Sequence, residues 1–350
     1  MTQTKRFALA TLLMLVAAFT FLDSWTYSQN YYKYPEEFEE LAAGHGLAPA
    51  QYRVGIIFVA KKLKILHLGY RHSFALIDFI CAMLAGWFLL EVMFKSQAFL
   101  SANPVKRWLH VFIFLGLVSY YLSWACWYQR PETMSCALYV AASLYVLSVF
   151  DSTDAAPALL MLTALQAFVR ADVAILFNLA LAVYYVAFKG GGGFVAKRSV
   201  LVVVGIAGLV MSVGILWVLM HVVYPNATYG DTAVFQIKTN LRPSQWIPFL
   251  LFFAPTLYTY LHIKRELDHE VKGAKAVLLL ASTFYLISYA LMGRLQEVRI
   301  FLPFAFALMP QTASTVVTTI LNVTKDKYVS SQQAASQPQL ADRGWPFRAQ

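Results

Sequence analysis

"MGRLQEVRIFLPFAFALMP", residues 292–310, sets three ionisable side chains, Arg294, Glu297 and Arg299, directly before a long apolar run. A helix needs about 20 apolar residues to cross a bilayer, and it needs no charge to do so. The three charges therefore call for a separate reason. Which side of a membrane they occupy depends on the rest of the chain.

Working outward, similar runs recur from end to end, at 7–22, 73–94, 107–127, 134–150, 155–169, 172–188, 199–223, 246–263, 274–292 and 300–321. They predict an all-α polytopic integral membrane protein with about 10 transmembrane helices. The fifth and sixth runs are short and are separated only by Arg170-Ala171-Asp172, so they read as a helical hairpin that need not cross fully. Composition agrees. Charged residues are 13% of the chain, hydrophobic ones 59%, and the mean hydropathy is +0.57, whereas a soluble domain is roughly a quarter charged. The runs leave no room for a sizeable soluble domain. The expected organisation is one transmembrane domain, residues 1–322, then a disordered cytoplasmic tail, 323–350, rich in Gln, Ser and Ala. Lys5-Arg6 and the apolar residues after it lack a small-x-small cleavage pattern before Asp23, which predicts a retained first helix.

The net charge of +10 is spread over short loops. No basic stripe with interleaved aromatics occurs, so nucleic acid is excluded as a partner and the charge reads as topological. Lys95, Lys106, Arg107, Lys189, Lys197, Arg198, Lys264, Arg265, Lys272, Lys275, Lys325 and Lys327 fall on one side of the alternating runs. That side is the cytoplasm of an inner (plasma) membrane, with both termini inside. Arg294, Glu297 and Arg299 then face outward, with Arg130, Arg170 and Arg242. Topology gives no reason to keep arginine there.

The first outer loop, 23–72, has a pattern of its own. In "KYPEEFEELAAGHG" Pro35 opens a helix, acids fill its first turn, and Gly44 and Gly46 end it. "YRVGIIFVAKKLKILHLG" mixes apolar residues with lysines and is too charged to span. Two short helices lying along the membrane surface are predicted. "KGGGGFVAKRS" lacks the Gly-Lys-Ser/Thr ending of a phosphate loop and reads as a connection. "HIKRELDHE" has no metal-site spacing, and no metal site is predicted. Cys81, Cys126 and Cys136 read as buried thiols in preference to a Cys126–Cys136 bridge.

The candidate site is assembled from the outward charges. Asp23 ends the first run beside Trp25 and Tyr27. It reads equally as a polar helix terminator and as a carboxylate placed for proton abstraction at a cavity mouth. Asp78 lies about a turn and a half into the second run, in the same layer. Arg170 and Asp172 either pair with each other or leave Arg170 free to point into a polar cavity. Glu297 can neutralise only one of its two arginines, and a free guanidinium suits a two-point grip on phosphate oxygens. With Arg53 added, these residues supply a base for an acceptor hydroxyl and cations for a leaving lipid phosphate.

Four stretches then resemble the C-type (GT-C) polyprenyl-phosphate-dependent glycosyltransferase superfamily, in particular its small bacterial members. They are "FLDSWTY" ending the first run, "AQYRVGIIF" after the outer-loop helix, "LQAFVRADVAILFNLAL", and "GRLQEVRIFLPFAFALMP". The resemblance implies transfer of a sugar from a lipid-linked donor to an envelope glycan or lipid acceptor at the outer face, among membrane lipids. It implies Asp23 as catalytic base or metal ligand, so a divalent cation is the cofactor it allows. Arg294 and Arg299 are implied at the lipid phosphate. Two other classes stay open. An envelope polysaccharide polymerase or ligase would also use outer-face arginines, although its usual large late loop is here a modest one, 224–245, with Lys238 and Arg242. A transporter would place charges near mid-membrane, of which Asp78 is a partial instance.

Overall fold

The computed structural model describes residues 3–30, 35–46, 48, 50–127, 130, 132–187, 195–227, 235–267 and 273–321. The glycine-run connection at 188–194 and the expected disordered tail, 323–350, lie outside the described residues, which contain helices and no strand. In chain order the helices are α1 (Gln3–Asn30), α2 (Pro35–Ala43), α3 (Val54–Leu63), α4 (Tyr70–Lys95), α5 (Gln97–Leu100), α6 (Pro104–Trp127) and α7 (Thr133–Val149). After them come α8 (Ser152–Ala187), α9 (Val195–Val218), α10 (Ile237–Asn240), α11 (Pro243–Leu267), α12 (Gly273–Met292), α13 (Leu302–Ala307) and α14 (Met309–Leu321).

Six stretches among the described residues are long and apolar enough to cross a membrane: Gln3–Trp25, Tyr70–Lys95, Pro104–Cys126, Ser152–Ala187, Arg198–Val223 and Gly273–Met292. A seventh is added if α13 and α14, with the 3₁₀ turn that leads into them, form one span bent by 67°. Pro310 stands at that bend, where it cannot donate to the preceding turn. The chain is therefore an all-α protein with the helices of a multi-pass membrane protein. The number obtained from length and composition is six to seven, against the expected ten. Three features make the difference. α7 has only 17 residues, α11 carries Pro248 and Pro255 within its apolar run, and α8 counts once although it holds two of the expected runs.

α8 is not one rod. Arg170 is extended (φ −155°, ψ 95°) in its middle, and Asn178 Nδ2 donates to Thr163 Oγ1 at 3.1 Å. Fifteen residues of continuous helix would hold those groups about 22 Å apart. The two halves therefore run back alongside each other, with Arg170 at the turn. Each arm is about 26 Å long, near the thickness of a bilayer's hydrocarbon core. The hairpin expected at this place in the sequence is present. Asn178 also donates to the Tyr139 hydroxyl at 3.3 Å, which ties both arms to α7.

One hydrophobic core runs from α1 to α14, from Ala8 and Leu12 through Leu89, Val140 and Phe177 to Ala313. Side chains cross-link the helices at two opposite ends of it. At one end Arg71 reaches Ser24, Arg53 reaches Glu132, and the Tyr52 hydroxyl donates to the Ala227 carbonyl at 3.1 Å. At the other, Lys5 pairs with Glu91 and Arg198 donates to the Tyr185 carbonyl. The hairpin tip belongs to the first end.

The loop expected from residue 23 begins later, because α1 continues to Asn30. Both short helices expected after it form, as α2 and α3. α2 stops at Gly44, which adopts a left-handed φ of 91° while the His45 N–H reaches back to the Glu40 carbonyl at 2.9 Å, an ending that favours glycine. α3 buries Ile56 and Ala60.

Candidate functional site

The hairpin tip gathers charge from distant parts of the chain. Arg170 is 5% exposed, yet all its described contacts are polar or aromatic. Its Nε and Nη2 donate to the two Asp172 oxygens, the former at 3.2 Å. Nη2 also donates to the hydroxyls of Tyr285 at 2.7 Å and Tyr289 at 2.9 Å, and both rings lie near the guanidinium. Burying a guanidinium is tolerable when it is satisfied in this way. Its partner differs, since the Asp172 side chain is 45% exposed. A carboxylate has about four lone-pair sites, so a two-point grip by Arg170 leaves the open side of Asp172 able to accept.

Arg53 stands next to this pair. It begins the turn into α3, and α3 rests directly on the hairpin tip. A Cβ on Gly55 would lie 3.2 Å from the Phe168 carbonyl oxygen and 3.1 Å from Val169 Cγ2, so glycine permits the close approach. The Arg53 guanidinium pairs with Glu132, just before α7. Glu132 is buried, which alone would push its pKa up. Arg53, and then Arg170 and Arg130, outweigh burial and hold the carboxyl below the ordinary glutamate value. Asp172 feels Arg53 as well. Arg53, Glu132, Arg170 and Asp172 thus form one charged layer.

The 293–299 turn is fixed to the same end. Asn240, the buried last residue of α10, donates to the carbonyls of Ala290 at 2.9 Å and Gly293 at 2.7 Å and accepts from the Leu295 N–H at 3.0 Å. Gln245 donates to Gln296 at 3.0 Å. Within the turn Glu297 takes Arg299, Nη2 to Oε2, at 3.0 Å. Arg294 is exposed and has no acidic partner among the described residues. Phe301, just beyond, lies against the Tyr289 ring at 5.5 Å, which links this turn to the Arg170 layer.

Asp23 and Asp78 lie between α1 and α4. Both are fully buried, and their carboxyl groups face each other within hydrogen-bonding reach. Neither Asp23 oxygen accepts from any other described donor. Asp23, expected at a cavity mouth, is closed off from solvent in this arrangement.

The structure therefore brings together Arg53, Arg170 and Asp172, sets Glu297 and Arg299 on the turn that follows α12, and pairs Asp23 with Asp78 between α1 and α4. The sequence reading missed Glu132, Tyr285 and Tyr289. A signal existed for each. Glu132 is an acid in the short loop that holds Arg130, and the two tyrosines are spaced i, i+4 at one end of α12. Cys81, Cys126 and Cys136 are free thiols. No group of three or more His, Cys, Asp or Glu among the described residues is placed to hold a metal ion.

Comparison of the chain with protein-family models, with curated proteins and with solved structures finds no match. The functional reading therefore rests on the site.

Proposed function

We propose that this protein is a membrane glycosyltransferase that moves a sugar from a lipid-phosphate carrier to an envelope glycan or lipid, with the hairpin-tip end as the outer face of the inner membrane. The observation that carries this reading is the charged layer itself, where the half-open Asp172 lies among Arg53, Arg170 and Glu132. Charge at a membrane helix end is costly unless it is paired or lines a polar space, and here it is paired.

In this reading Asp172, in preference to the enclosed Asp23, meets the acceptor. The acceptor oxygen attacks the anomeric carbon and its proton passes to Asp172. The bond from that carbon to the phosphate oxygen breaks, and the electron pair leaves on the lipid phosphate. Arg53 and Arg299 are the cations assigned to that phosphate, each already oriented by a carboxylate. The topology that goes with it has ten passes: both arms of α8, α7 and α11 cross together with the five other long helices and the bent α13–α14 pair. Both termini are then cytoplasmic. Cysteines at Gln296 and Gln97 test the orientation, since in intact cells only Gln296 should label.

The experiment for the chemistry uses the purified chain in liposomes with a panel of polyprenyl-phosphate sugars and envelope acceptors. Release of free polyprenyl phosphate, lost in Asp172→Asn, is expected. Donor turnover unaffected by Asp172→Asn would remove the assignment. One observation favours a second reading, a proton- or cation-coupled transporter, namely the Asp23–Asp78 pair enclosed between two candidate spans. Uptake driven by an ion gradient, with no donor turnover, would put that reading first.

A further inference from the structure

A different face of α12 carries a feature the transfer reading does not use. An apolar groove of ≈ 280 Å³ is lined by Phe284, Ile287, Ser288, Leu291 and Met292, and Ile287, Leu291 and Met292 are exposed. Successive helix residues are turned by about 100°. The groove positions 284, 287, 288 and 291 therefore lie on other sides of the helix from Tyr285 and Tyr289, which face Arg170. It is a separate surface from the charged layer.

The hairpin-tip end of this groove is bounded by cations. The Gln236 N–H donates to the Leu291 carbonyl at 3.0 Å, which lays the segment carrying α10 across the end of α12. That segment exposes Phe235, Ile237 and Leu241 together with Lys238 and Arg242. Arg294 follows Met292 by two residues, so its Cα lies at most about 7.6 Å from that of Met292. Lys238, Arg242 and Arg294 are all exposed, and none has an acidic partner among the described residues. Exposed apolar residues interleaved with unpaired cations are the pattern of a segment seated at the lipid headgroups.

We propose that this face is a seat for an anionic phospholipid, with one acyl chain along the α12 groove and the headgroup phosphate between Lys238 and Arg294. Charge complementarity selects the occupant. The rim supplies cations at headgroup depth, and the groove directly below supplies a wall of carbon broken by the Ser288 hydroxyl. A zwitterionic lipid would satisfy the groove and leave the cations unanswered. Occupancy clamps the segment that Asn240 ties to the end of α12, and through that helix it steadies Tyr289.

The test uses the full chain in vesicles of phosphatidylcholine with or without phosphatidylglycerol, with native mass spectrometry of retained lipid. Retention of phosphatidylglycerol over phosphatidylcholine is expected. Lys238→Ala with Arg294→Ala should reduce that preference by on the order of tenfold. Ser288→Trp, which fills the groove and spares the cations, should also lower retention, and that separates a seat from general surface attraction. Both variants are scored only after their melting in phosphatidylcholine matches wild type; otherwise Lys238→Gln and Ser288→Leu replace them. Equal retention of the two lipids, or a preference untouched by both variants, would overturn the proposal. So would displacement of phosphatidylglycerol by polyprenyl phosphate at equal concentration, which would make the groove part of the transfer site. A lipid-free dimer closed by this face would assign it to a second copy instead.

Discussion

Arg170 donates to the Tyr289 hydroxyl at 2.9 Å across 119 residues of chain, and this bond joins the hairpin tip to the helix that leads into the 293–299 turn. The same guanidinium holds Asp172 and Tyr285. Arg170→Lys should therefore destabilise the protein even though the charge is kept, because an ammonium cannot reproduce the planar two-point grip on Asp172 while also reaching the two tyrosine hydroxyls. Tyr289→Phe removes one acceptor and should cost about 1–2 kcal/mol. Thermal unfolding in detergent measures both. A wild-type melting temperature for Arg170→Lys would mean that the fork geometry is unimportant.

Asp172 and Asp23 make opposite predictions for catalysis. Asp172→Asn should keep the Arg170 contact in part and lower turnover by about 10²–10⁴. Asp23→Asn changes an enclosed pair and should leave the turnover of folded protein within a few-fold of wild type. The reverse outcome, an inactive but folded Asp23→Asn and an active Asp172→Asn, would return the role of base to Asp23. It would also require α1 and α4 to separate during the reaction.

Glu132 predicts an acid-sensitive fold. Its folded pKa lies below the ordinary 4.5, held there by Arg53, Arg170 and Arg130 against the opposing effect of burial. A lowered carboxyl pKa means that the unfolded chain binds the proton more tightly. The pair's contribution is therefore full above the unfolded value and is lost as pH falls through the folded one. Stability of the wild type should decline more steeply below about pH 4.5 than that of Glu132→Gln. Glu132→Gln itself should be less stable at neutral pH, by about 3 kcal/mol, since it strands a partly buried guanidinium. Parallel pH profiles for the two proteins would remove this account.

The reversal at Arg170 can be tested by covalent capture. In a background without native cysteines, Thr163→Cys with Asn178→Cys places two thiols where side chains now meet at 3.1 Å. Mild oxidation should close an intrachain disulfide, read by mass after proteolysis between the two positions. A continuous helix would hold the two positions about 22 Å apart and no bond would form.

Much of this architecture is readable from local pattern. The two runs on either side of Arg170-Ala171-Asp172 are each apolar, and the charged pair between them interrupts the run where the structure turns. Pro35 and Gly44 mark the ends of α2 because they act through their own backbone. Glu132 is not readable in this way. Its meaning depends on Arg53, 79 residues earlier, and no periodicity within either segment reports that pairing. Tyr285 and Tyr289 have the look of interface anchors until Arg170 is placed between them.

By itself, then, the sequence determined that this chain is helical and membrane-like, where its apolar runs break, and which ionisable groups cluster in its short loops. Hydropathy and turn chemistry are properties of neighbouring residues, so a linear reading captures them. Which carboxylate is open was decided only by the tertiary structure. Asp23 and Asp172 stand at similar places in the pattern, each at the end of an apolar run. Packing of α1 on α4 encloses Asp23 against Asp78, while the hairpin turn leaves Asp172 half exposed beside a buried arginine. Burial and ion pairing depend on which helices meet, and that information lies between segments far apart in the chain.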